Sequence, residues 1–162
     1  MFQRGLFAIC GLTFLLLSCS NDGIDKSYVD LDLIKYGVPL VVKAPEGIDV
    51  TETDMIVSKE LTIKKNGEYD VMVNISETTG KQMSELKAEQ LTYSQSNPYF
   101  KEIVLDEEDG FIYHNQIDSI HSNYGFKYLL IKADKEIVVQ SGLSGNYDLE
   151  TAKKMYKAVR VN

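Results

Sequence analysis

The dipeptide Asn66-Gly67 lies between two apolar runs, Leu61-Thr62-Ile63 and Tyr69-Asp70-Val71-Met72-Val73-Asn74-Ile75, and it constrains the fold more than any other stretch. Both turn residues tolerate positive φ, which a tight hairpin requires. In the second run Tyr69, Val71, Val73 and Ile75 alternate with Asp70, Met72 and Asn74. A period of two puts one set on each side of a pleated strand. The first half of the chain is therefore expected to form an antiparallel sheet.

Further strands are expected at 38–43, closed by Ala44-Pro45-Glu46-Gly47, and at 55–58. A helix is expected over 80–95. Thr79 and Gln82 have capping-box spacing, Met83, Leu86, Gln90 and Leu91 recur at helical steps, and Asn97-Pro98 stops the run. Two more hairpins follow. Residues 100–105 and 111–117 flank an acidic turn, and 124–132 and 136–141 flank Ala133-Asp134-Lys135. A last helix starts near Asp148, with Leu149, Ala152, Met155, Tyr156 and Val159 as its apolar stripe. Lys153, Lys154, Lys157 and Arg160 lie towards its C-terminus, where cations favour the helix dipole. Strands, helix, four strands and helix in that order predict an α+β fold: a twisted antiparallel sheet of six to seven strands packed against two main helices.

The first residues have a different logic. Arg4 precedes an apolar run over 6–17, interrupted only by Gly11 and Thr13. A cation followed by a short apolar run is the layout of a secretory signal. About a dozen residues fall short of the roughly 20 that span a bilayer. The run ends Leu16-Leu17-Ser18-Cys19, which resembles the bacterial lipobox. That resemblance implies cleavage between Ser18 and Cys19 and a thioether-linked lipid on Cys19, removing 1–18 as a signal peptide. Several acyl chains together hold a protein on a membrane where one chain holds it only marginally. Residues 19–35, with Asp22, Asp25, Asp30 and Asp32, are expected to be a flexible tether. A Ser/Asn/Asp start after the lipid-bearing cysteine resembles lipoproteins of the Bacteroidetes group. The expected location is the cell envelope, most naturally the outer membrane, facing the periplasm or the cell surface.

Removing 18 of 162 residues leaves 144, and residues 36–162 are expected to form one domain. Cys10 leaves with the signal and Cys19 carries lipid, so the fold must rest on its core without a disulfide. The formal charge of −7 becomes −8 once Arg4 is lost. Such a domain repels phosphate backbones, so no nucleic-acid partner is expected.

The order of elements is similar to that of a known superfamily. The phrases that carry the likeness are Val38-Pro39-Leu40-Val41-Val42-Lys43, the Asn66-Gly67 hairpin, the Phe111 and Phe126 hairpins and Ala152-Lys153-Lys154-Met155-Tyr156-Lys157-Ala158-Val159. It resembles the group of the photosystem accessory protein PsbP, the Ran-binding Mog proteins and the bacterial lipoprotein DcrB. The resemblance implies a sheet between helices and a binding or assembly role, and it transfers no site residue.

Candidate chemistry is sparse. Asp106, Glu107, Glu108 and Asp109 could offer oxygens to Ca²⁺, but EF-hand spacing is absent and Asp109-Gly110 reads as a solvated turn. His114 and His121 are the only histidines. Metal pairs usually sit closer or recruit further ligands, and Asp118, Ser119 and Ser122 nearby lack a nucleophile motif. Gly142-Leu143-Ser144-Gly145 lacks the Lys and Ser/Thr of a phosphate loop. Tyr93, Tyr99, Tyr113, Tyr124 and Tyr128 could line a binding face or pack in the sheet. No enzyme activity and no cofactor are expected. The expected role is a non-catalytic envelope module for a protein partner. The alternatives are a small-ligand carrier with a pocket between sheet and helix, and an immunity-type lipoprotein whose acidity complements a basic toxin.

Overall fold

A computed structural model describes residues 26–160. The signal segment, Ser18 and Cys19 lie outside the described residues. The chain forms β1 (Tyr28–Asp32), a single 3-10 turn (Ile34–Tyr36), β2 (Val41–Pro45), β3 (Asp49–Asp54), β4 (Ser58–Lys65) and β5 (Tyr69–Glu77). Helix α1 (Met83–Gln95) follows, then β6 (Phe100–Glu107), β7 (Gly110–Gln116), β8 (Ser122–Lys132), β9 (Lys135–Ser141) and α2 (Leu149–Val159). Strands β1 and β2 pair as a small sheet of their own. The other seven form one antiparallel sheet in the order β3-β4-β5-β9-β8-β7-β6. The fold is α+β, with a sheet packed against two helices.

Two meanders, β3-β4-β5 and β6-β7-β8-β9, meet where β5 pairs with β9. Helix α1 therefore carries the chain from the middle of the sheet to its far edge. Side chains alternate across a strand, so each strand faces two layers. On one face Leu61, Ile63, Val71, Val73, Ile112, Phe126, Ile137 and Val139 form the main core with Ala152, Met155, Tyr156 and Val159 of α2. The small sheet closes this core with Val42 and Ala44. The other face meets α1, which rests on β8 and β6. Five residues of α2 are buried, whereas on α1 only Leu86 and Ser94 are.

Several local expectations change. Strand β1 falls inside the stretch 19–35 expected as a tether, because Tyr28 packs edge-on against Tyr69 at 5.8 Å and Leu33 is wholly buried. Order thus begins ahead of residue 36. Val38 and Leu40 are buried but lie outside the ladder, in a tight loop where the Leu33 N–H donates to the Leu40 carbonyl at 3.0 Å. The strand expected at 38–43 is β2, shifted along the chain. The stretch 55–58 is a hairpin tip plus the first residue of β4, and the strand before it is the polar, exposed β3. The Asn66-Gly67 hairpin forms with a three-residue connection. Gly67 takes positive φ (75°), whereas Ala133 is the only non-glycine residue with positive φ among those described. The α1 capping box forms between Gln82 and Glu85, one turn later than Thr79 and Gln82. At α2, Asp148 is the N-cap and accepts from the Thr151 N–H at 2.8 Å.

Candidate binding groove

Strand β8 is flanked by β7 and β9 and covered on both faces. Phe126 packs near Tyr156 of α2 (5.8 Å between rings), so Lys127, the next residue, must point the other way, towards α1. Lys127 is only 3% exposed. Its Nζ donates to Gln90 Oε1 at 2.5 Å and lies 4.5 Å from the centre of the Tyr93 ring. Among the described residues no carboxylate forms an ion pair with it. Burial pushes the amine down to about 8, against a weaker opposing pull from Glu89. Buried cations are normally paired, so this ammonium stands out chemically.

Gln90, Tyr93 and Ser94 lie three and four residues apart on α1, which puts them on one side of the helix. With Lys127 they line a groove of about 520 Å³ between α1 and the sheet. Met72, Tyr113, Val138 and Leu143 contribute apolar wall. The Ser94 hydroxyl is buried and has no hydrogen-bond partner. Leaving such a group unsatisfied costs roughly 1–3 kcal/mol. On this face Gly125 leaves room for the Tyr113 ring: a Cβ there would come within 2.4 Å of it, and the ring would have to shift. Lys81 closes one end by bridging Glu89 of α1 (2.6 Å) and Glu136 of β9 (3.1 Å).

The residues singled out in the sequence are distributed elsewhere. Asp106 pairs with Lys87 at 2.6 Å, Asp109 with Arg160 at 2.7 Å, and Glu107 with Arg160 and with the Tyr156 hydroxyl, which donates at 2.9 Å. Glu108 is exposed at the tip. The acidic turn is thus latched to α1 and α2. Among the described residues no group of three or more His, Cys, Asp and Glu could hold a metal ion. His114 is buried on β7, stacked on Tyr124 at 4.4 Å, with Nδ1 3.4 Å from Glu102. His121 is exposed in the following turn, 2.7 Å from Asp118. Asp118 also accepts the backbone N–H groups of Ile120 and His121, and the His121 side chain with these donors holds its carboxyl below the usual range. The two histidines do not form a common site.

The glycine loop is pinned at Asp70. Ser144 Oγ and Lys64 both contact Asp70 at 3.3 Å, and Gly142 abuts that carboxylate. The tyrosines do not form one face: Tyr93 and Tyr113 line the groove, Tyr124 stacks on His114, and Tyr128 is buried near Arg160. Lys127, Gln90 and Ser94 were not singled out from sequence. One signal was available, a lysine in the middle of Phe126-Lys127-Tyr128-Leu129-Leu130-Ile131, a run otherwise fit for burial on both faces.

One further surface feature adjoins the groove near Ser58. The β3–β4 hairpin tip is Met55-Ile56-Val57, with exposures of 48%, 104% and 80%. Glu52 and Asp54 flank it, and both pair with Lys59. No protein-family model matches the chain, and no curated protein matches it. Among the described residues no helix is long and apolar enough to cross a membrane.

Proposed function

We propose that the protein is a lipid-anchored, non-catalytic binding module of the bacterial cell envelope, which engages a protein partner through the Met55-Ile56-Val57 tip. The lipobox-like Leu16-Leu17-Ser18-Cys19 supports the anchor. The observation that carries the partner reading is the tip itself: three consecutive apolar side chains held out in solvent by a hairpin. A protein groove suits it better than a lipid surface for two reasons. Glu52 and Asp54 beside it repel anionic headgroups. The tip also lies one length of β3, about 20 Å, from the end where Tyr28 pairs with Pro45 and the described residues begin. In cells, a photo-crosslinking amino acid at Ile56 should give one discrete protein adduct, and the same residue at exposed Lys101 should give none. Adducts to lipid alone, or none at 56, would overturn this reading. A second reading, carriage of a small ligand, is favoured by the groove around Lys127.

A further inference from the structure

We infer that the groove between α1 and the sheet binds a small organic carboxylate with an apolar body, its carboxylate facing the Lys127 ammonium and accepting from the Ser94 hydroxyl. The inference rests on the reading of the groove as a ligand site and names the class of ligand. Two independent observations support it. Lys127 is a nearly fully buried cation with one neutral acceptor, Gln90 Oε1, and no carboxylate partner among the described residues. Ser94 is 5% exposed, lines the same groove and has an unpartnered hydroxyl. Each group alone costs stability. A carboxylate satisfies both, because it accepts up to about four hydrogen bonds through two oxygens.

The surroundings select the ligand further. Glu60, Glu89 and Glu136 also line the groove, the last two sharing Lys81, so a dianion such as phosphate would face three carboxylates against two ammonium groups, one of them already shared. A monoanion meets less repulsion. Met72, Val138 and Leu143 offer apolar surface to the rest of the ligand, and the Tyr113 ring offers a flat one.

The test is an amide-resolved NMR titration of the purified full chain with phenylacetate and with hexanoate, each run beside its neutral amide. At least one carboxylate should shift the amides of Gln90, Ser94 and Lys127, with its amide binding at least tenfold more weakly. Lys127→Met should weaken carboxylate binding by about tenfold or more, since charge-assisted hydrogen bonds are the strong ones. Ser94→Ala, a smaller change, should weaken it about threefold and provides a second check if Lys127→Met perturbs the fold. Equal binding of acid and amide would overturn the carboxylate assignment while leaving a ligand groove. Shifts elsewhere, or none with either carboxylate, would overturn the groove as a ligand site.

Discussion

Lys127 illustrates how one residue can oppose the stability of the element that holds it. Its neighbours Phe126, Tyr128 and Leu129 are buried, and the strand would pack well with an apolar residue between them. The folded state instead disfavours the charged amine, with a value of about 8 against 10.5 in the unfolded chain. A depressed lysine makes folding less favourable wherever the unfolded chain is protonated. The cost is full below pH 8, shrinks between 8 and 10.5, and vanishes above; a shift of this size is worth about 3 kcal/mol. Lys127→Met should therefore stabilise the protein at pH 7, by about 1–3 kcal/mol after loss of the Gln90 contact. Urea melts of both proteins from pH 7 to 11 check this, and the gap should close as pH rises. Tyr69 and Tyr156, whose phenols burial pushes well above the usual range, weaken both proteins above pH 10 and cancel in the difference. A gap of zero at pH 7, or one that widens with pH, would contradict the account. This residue was hard to read in sequence because its partners Gln90 and Tyr93 are 37 and 34 positions away, on another element.

At the scale of elements, the two helices differ in what holds them. Helix α2 buries a full apolar stripe on the core, and its N-cap and stripe residues were legible because helical spacing and burial agree. Helix α1 touches the sheet through Leu86, the Lys127–Gln90 bond, the Lys87–Asp106 pair and Lys81, which bridges Glu89 to Glu136 of β9. Exposed pairs of that kind contribute little, commonly under about 1 kcal/mol each. Hydrogen exchange should accordingly show amides from Leu86 to Tyr93 protected at least about tenfold less than those from Ala152 to Val159. Equal protection would mean that α1 is held by the global core. The central strands were legible for a related reason: Val71, Val73 and Ile75 face the core and Met72 and Asn74 do not, so the alternation survives in the sequence. Strands β1 and β3 were not legible. Asp30, Asp32, Glu52 and Asp54 give them the composition of a tether or loop, and their pairing depends on tertiary partners. Met55-Ile56-Val57 misled for the opposite reason, being apolar yet exposed.

At the scale of the whole molecule, the groove between α1 and the sheet and the apolar β3–β4 tip adjoin at Ser58, Ile75 and Ser76. Among the described residues neither Ser119 nor Ser122 hydrogen-bonds to His121, and His114 is stacked against Tyr124. An acidic domain held by a short segment at a membrane surface can present both features without docking its own face on anionic lipid. That arrangement depends on the front of the chain, so the most direct measurement is the intact mass of the protein purified from membranes. The account predicts a chain that starts at Cys19 and carries acyl mass, with Cys19→Ala moving to the soluble fraction. A chain that retains residues 1–18, or one cleaved but without acyl mass, would contradict it.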